Sequence, residues 1–178
     1  MRYRRARIDG GTYFFTVNLA ERHRSLLVDY IDVLRKVVGV VKQRHPFTID
    51  AVVLFPEHLH AVWTLPPNDA DYPGRWLLNK AGFSRHIPQG ERRIASRTRK
   101  GERGIWQRRY WEHLIRDEGD FVRHVEYIHF SPVKHGHVSR AVDWPYSSMH
   151  RYIKAGMIDR DWGGGICEND EKGYGERE

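Results

Sequence analysis

One cysteine, Cys167, stands in 178 residues. Its isolation excludes an internal disulfide framework and a zinc site built from paired cysteines, and it suits a reducing compartment. No apolar run approaches the ~20 residues that a membrane-crossing helix needs. The N-terminal stretch is basic, but no apolar segment follows it, so it does not read as a secretory signal. No internal repeat is visible. Negative charge is in deficit, with 23 Asp and Glu against 30 Lys and Arg, for a formal net charge of +7. These absences predict one soluble, intracellular domain, long enough to bury a core. The charge predicts a polyanionic partner, nucleic acid ahead of an anionic membrane surface.

The most informative stretch is Ala51 to Leu65, where two β-like runs meet at Phe55-Pro56-Glu57. A strand turns alternate side chains to opposite faces, so His58 and His60 share a face with Val62 while Leu59, Ala61 and Trp63 take the other. Two imidazoles on one rigid strand can close on one metal ion, although such pairs also occur at strand ends with no ligand. Upstream, Thr12 to Val17 is rich in aromatic and β-branched residues and predicts a strand. Val28 to Arg44 has helical apolar spacing and predicts a helix stopped by Pro46. Phe47 to Phe55 predicts the strand that pairs with the His58 strand as an antiparallel hairpin. Strand, helix, strand, strand suggests a split βαβ arrangement.

Gly74 to His86 predicts a further helix. Residues 85–109 hold nine Arg or Lys against two Glu, too few apolar groups to offset ordering entropy, and predict a mobile basic loop. Trp106 to Ile115 predicts a fourth strand. Asp117 to Asp120 supplies N-cap chemistry for a helix from Phe121 to about Phe130, with Pro132 as its stop. His124, Tyr127 and Ser131 fall on one side of that helix, beside the Phe121, Val125 and Ile128 stripe. Several groups suit DNA: Arg2, Arg4, Arg5 and Arg7 at the N-terminus, Arg92, Arg93, Arg97, Arg99 and Lys100 in the loop, and Lys134. Trp144, Ser147, Ser148 and Arg151 offer stacking surface, hydroxyls and a cation to a single strand. The same aromatic cluster would equally pin the C-terminal segment to the core. Residues 163–178 are Gly-rich and then charged, which predicts a disordered tail after a single domain spanning 1–162.

Several segments in order resemble the REP-associated tyrosine transposases, a branch of the single-tyrosine HUH transposases. They are Gly10 to Val17, Leu54 to His60, Ile105-Trp106-Gln107, Tyr110 to His113, Tyr127 to Gly136 and Asp143 to Ser148. The resemblance spans about residues 3–162. It implies an α+β, ferredoxin-like antiparallel sheet with helices on one face, plus the basic loop and a C-terminal extension. It also implies a cytoplasmic, nucleoid-associated bacterial enzyme that nicks and rejoins single-stranded DNA beside short palindromic hairpins, with Mg²⁺ or Mn²⁺ as cofactor. Tyr127 matches the family's nucleophile, and His58 and His60 match its metal ligands. Monomer and homodimer both remain open.

One position departs from the family. An Asn that completes the metal shell is replaced by Ser131, four residues after the tyrosine. Serine binds through water, or His124 substitutes, or metal affinity falls. Two other readings compete: a non-catalytic ferredoxin-like nucleic-acid-binding module, and a zinc hydrolase with His113 or His124 as third ligand and a bound hydroxide as nucleophile. A phenol with a pKa near ~10 is a poor nucleophile at neutral pH, so tyrosine chemistry on a phosphodiester needs a metal that polarises phosphate oxygens.

Overall fold

The computed structural model describes residues 7–163. The aromatic run after Gly11 forms β1 (Thr12–Asn18), apolar and buried on both faces. It is an inner strand of a sheet completed by β2 (Thr48–Leu54), β3 (His58–Thr64) and β4 (Trp111–Leu114), in the order β2-β3-β1-β4. Every neighbouring pair is antiparallel. Between β1 and β2 lie α1 (Leu26–Asp29) and α2 (Ile31–Arg44); between β3 and β4 lie α3 (Tyr72–His86) and the short α4 (Ala95–Thr98). After β4 come α5 (Glu118–Lys134), a 3-10 turn at Ala141–Asp143 and α6 (Met149–Lys154). This is the expected α+β, ferredoxin-like arrangement.

Strand alternation divides the core in two. Tyr13, Phe15, Leu59 and Trp63 pack with Leu34, Val41, Trp76 and Phe83 under α2 and α3. Phe14, Val53 and Val62 pack on the other face with Val125, Tyr127 and Ile128 of α5. Helices on one face therefore describes only the crossover helices α2 and α3, and α5 covers the second face. The cause is in the strands: β1 and β3 are apolar on both sides, and such a sheet needs both sides covered.

α3 and α5 start two and three residues earlier than the sequence reading placed them, at Tyr72 and Glu118, and three further boundaries differ for identifiable reasons. Pro132 does not end α5, which runs on to Lys134. A proline this near the end withdraws a single backbone donor and leaves the last turn intact. The true stop is Gly136, at φ +70°, with His137 N donating to Pro132 O and Gly136 N to Val133 O, both at 2.9 Å. That pair of bonds is a Schellman end, which needs a residue able to adopt positive φ. The fourth strand is shorter than predicted. Trp106 makes an isolated bridge to Leu19, and the chain then leaves the sheet at Arg108, which reaches Glu102 at 2.9 Å, before β4 begins. The first helix breaks at Tyr30 into α1 and α2.

The basic stretch is hooked to the fold at several points. α3 occupies its first two residues, and Ile105 and Trp106 are buried in the core at its far end. Arg103 pairs with Glu91 at 2.8 Å and donates to the carbonyls of Ile87 and Pro88. The hydrogen bond from Arg103 brings the Glu91 carboxyl down to about 2. Among the described residues no helix is long and apolar enough to cross a membrane.

Candidate active site

The β1–β3 register sets Thr16 opposite His60 and Asn18 opposite His58. Both imidazoles face α5 and are buried. Thr16 Oγ1 lies 2.8 Å from His60 Nδ1, and Glu57 Oε1 lies 2.9 Å from His58 Nδ1. A carboxylate only accepts, so a neutral His58 carries its proton on Nδ1 and leaves the Nε2 lone pair for a ligand. Thr16 occupies Nδ1 of His60, but its hydroxyl both donates and accepts, so this contact holds the ring without dictating its tautomer. Burial pushes the Glu57 carboxyl up, but the hydrogen bond and charge of His58, with the charge of Arg22, outweigh it and hold the group below its ordinary value.

His135 completes the set. Ligating nitrogens of His58, His60 and His135 lie within 4.8 Å of one another. Three converging imidazoles, two with Nδ1 held by an oxygen, form a donor set suited to a divalent ion. His135, the C-cap residue of α5, follows Tyr127 by eight residues, a little over two helical turns. That spacing was the available signal, hidden when Pro132 is taken as the stop.

Tyr127 is buried beside this cluster. Its ring stands edge-on to His60, with centroids 5.3 Å apart at 71°, and near Phe14 at 6.0 Å. Lys134 Nζ lies 4.9 Å from the Tyr127 ring centroid, so the lysine expected to hold DNA also sits over the candidate nucleophile. Ser131 is wholly buried, and its hydroxyl donates to Tyr127 O at 2.5 Å. Its proton is thereby committed to the helix backbone, a common use of serine in a helix.

His113 and His124 are not brought to the His58–His60 pair. They gather with Asp120 in a second cluster, and Phe14 stands between the two groups, 4.8 Å from His124 and 5.7 Å from His60. Asp120 meets His113 Nε2 at 2.8 Å, accepts from Arg116 N at 3.0 Å and pairs with Arg123 at 3.2 Å. Burial raises its carboxyl, but the His113 hydrogen bond, the Arg116 amide and the charges of His113 and His124 together hold it far below the usual range. Burial lowers His124, whose Nδ1 lies 2.7 Å from Asp120 O. This cluster ties the start of α5 to β4.

The remaining candidates divide. Arg2, Arg4 and Arg5 lie outside the described residues, as do positions 164–178 of the expected tail. Arg7, Arg92, Arg93, Arg99 and Lys100 are exposed, and Arg97 is half-buried, donating to Trp106 O. Trp144 Nε1 donates to Leu54 O, and its ring lies tilted against His137 at 4.8 Å and stacked with Phe55 at 5.9 Å. Ser148 accepts from Val52 N, Ser147 accepts from Met149 N, and Arg151 donates to Ile49 O. The bonds of Trp144, Ser148 and Arg151 thus run inward and stitch the C-terminal segment to β2, while that of Ser147 stays within the segment.

The four-stranded antiparallel sheet thus carries two histidines on β3 and faces a tyrosine on α5. No family profile matches the chain. It is 42% identical over 166 residues to a REP-associated tyrosine transposase of Escherichia coli K12, covering 93% of each. It is 45% identical over 163 residues, 91% of this chain and 93% of the other, to a Haemophilus influenzae protein provisionally given the same name. Among solved structures, a REP-associated tyrosine transposase bound to a REP hairpin superposes with TM-score 0.83 at 41% identity, over 99% of this chain and 98% of that one. The chain belongs to the REP-associated tyrosine transposases.

Proposed function

We propose that the protein binds hairpin DNA of the repetitive extragenic palindrome type and nicks and rejoins the adjoining single strand through Tyr127. The observation that carries this reading is the Tyr127 ring set edge-on against His60 within the three-histidine cluster. The phenol oxygen attacks phosphorus and loses its proton. A P–O bond to tyrosine forms as the bond to the departing deoxyribose oxygen breaks, and that oxygen leaves as a hydroxyl on the other DNA end. The ester keeps the bond energy, so the same hydroxyl attacks the phosphotyrosine to reseal the strand without a nucleotide cofactor. Burial of Tyr127 on a helix packed through Val125 and Ile128 fixes the direction of attack, and the Lys134 ammonium beside its ring favours negative charge on the phenol. His58, His60 and His135 would hold Mg²⁺ or Mn²⁺, which supplies Lewis-acid polarisation of the phosphate oxygens. Imidazole donors favour Mn²⁺ of the two.

The test is incubation with single-stranded oligonucleotides carrying the hairpin, in Mg²⁺ or Mn²⁺, followed by a denaturing gel and mass spectrometry of the adduct. An adduct on Tyr127, and its loss in Tyr127→Phe while hairpin affinity persists, is the expected result. Nicking by Tyr127→Phe at the wild-type rate, with no adduct, would replace this mechanism with attack by a metal-bound hydroxide.

A further inference from the structure

The strands that turn His58 and His60 toward α5 present their other face to a cavity of about 280 Å³. Leu59, Ala61 and Trp63 of β3 line it from the sheet, and α2, α3 and the Pro145–Ser148 segment wall it. The space lies just below the usual range of small-molecule pockets, about 300–1,000 Å³. Trp63 and Trp76 stack in its wall, with centroids 4.1 Å apart at 14°. Apolar walls alone would make this a packing defect, but two polar groups argue otherwise. Asn79 is 2% exposed, and neither its amide nitrogen nor its amide oxygen has a hydrogen-bond partner among the described residues. Trp76 Nε1, one turn earlier on α3, lacks a partner in the same sense. Buried polar groups in native proteins are nearly always paired, so three such atoms beside one cavity point to a ligand that pairs them. Arg35, Lys80 and Arg151 also line the cavity, which suits an anionic chain entering from outside.

We propose that this cavity receives one unpaired purine base, adenine best of all, from the DNA the protein binds; the inference rests on the function proposed above. A carboxamide presents one donor and one acceptor side by side. Adenine presents the complement, an N6 amino donor next to a ring-nitrogen acceptor, which is why Asn pairs with it in direct readout. Trp76 Nε1 adds a donor for a further ring nitrogen. The indoles offer flat surface to the base, and the positive charge of Arg35, Lys80 and Arg151 along the lining favours the phosphates on either side of it, although Arg35 also pairs with Asp32 at 3.3 Å and Arg151 donates to Ile49 O. Lys80, one of the lining residues, donates to Gln107 O at 3.1 Å. The sheet then separates two tasks, reading a base on the α2–α3 face and cutting the strand on the α5 face.

The experiment uses the full chain and hairpin oligonucleotides whose unpaired flanking nucleotides are replaced one at a time by an abasic site. Anisotropy titration is run on wild type and on Asn79→Leu, which has similar volume and removes the unpaired amide. At one flanking position, loss of the base is expected to weaken wild-type binding at least tenfold. Asn79→Leu is expected to bind the intact oligonucleotide as weakly as the abasic one and to hold a bare hairpin as well as wild type does. The fluorescent purine 2-aminopurine, placed at that position, is expected to be quenched on binding wild type, a readout that needs no variant to fold. If no position responds by more than twofold, or Asn79→Leu keeps the discrimination, or no 2-aminopurine is quenched, the pocket is not a base site. A wild type that forms the Tyr127 adduct but senses no base overturns this inference alone. One that neither binds hairpins nor forms the adduct overturns the proposed function, and this inference with it.

Discussion

Glu57 orients His58 from the adjacent position in sequence: its carboxylate lies 2.9 Å from Nδ1 of the neighbouring ring. The turn between β2 and β3 brings the two together, and Arg22 reaches the same carboxylate at 4.0 Å. The Pro56-Glu57-His58 segment thus supplies both a candidate ligand and the group that fixes its tautomer.

Glu57→Ala is expected to lower affinity for Mn²⁺ by about ten- to a hundredfold, the usual loss when the partner of a ligating histidine is removed. Glu57→Gln is expected to fall between, because its amide oxygen still accepts but carries no charge. Calorimetric titration of the purified variants with MnCl₂ checks both.

His135→Ala is expected to raise the Mn²⁺ concentration needed for half-maximal adduct formation by at least tenfold. His124→Ala is expected to leave that concentration unchanged, since its ring lies beyond Phe14 with Asp120. Equal shifts in the two variants would remove His135 from the metal site.

Asp120→Asn is expected to cost about 1.5–3 kcal/mol at pH 7, the scale of weakening hydrogen bonds to a charged group, here those from His113 and Arg116 N to the buried carboxylate. The folded-state carboxyl is held below its ordinary value. The unfolded chain therefore takes up the proton first, and the contribution is complete above about pH 4 and lost as pH falls further. Urea melts at pH 7, 4 and 3 should show the wild type losing stability steeply while the variant changes less over the same interval.

Arg93 and Arg97 donate to the carbonyls of Glu102 and Trp106, so replacing them disturbs structure as well as charge. Replacing Arg92, Arg99 and Lys100 by Gln tests charge more cleanly. If all three meet a single strand, the slope of log affinity against log salt should fall by about 2, at about 0.7 per contact. An unchanged slope across a salt series would make the stretch a connector.

Local pattern made the sheet readable. Alternation in β2 and β3 put His58 and His60 on one face, and helical spacing located α2. What escaped depended on contacts distant in sequence. The position of His113 is decided by the β1–β4 register, which sets it beside Phe14, and His124 of α5 stacks on it across the chain. Pro132 reads as a stop by propensity alone, yet the helix is carried past it by packing on β2 and β3 and by its glycine end. The role of Ser148 is likewise decided across 96 residues, by its bond to Val52 N. Asn79 looks like an ordinary polar residue of an exposed helix until the fold buries it.

Tyr127 lies on α5 and His135 is its C-cap residue, and the unbroken run of α5 through Pro132 fixes the angle between them. Inserting or deleting a single residue between them would turn everything beyond by about 100° around the helix axis, swinging His135 away from β3. Substitutions between these two positions can be absorbed by repacking, but a change in length cannot. Residues 127–135 therefore act as a fixed-length ruler, and homologues that keep both groups are expected to vary there in composition and never in number.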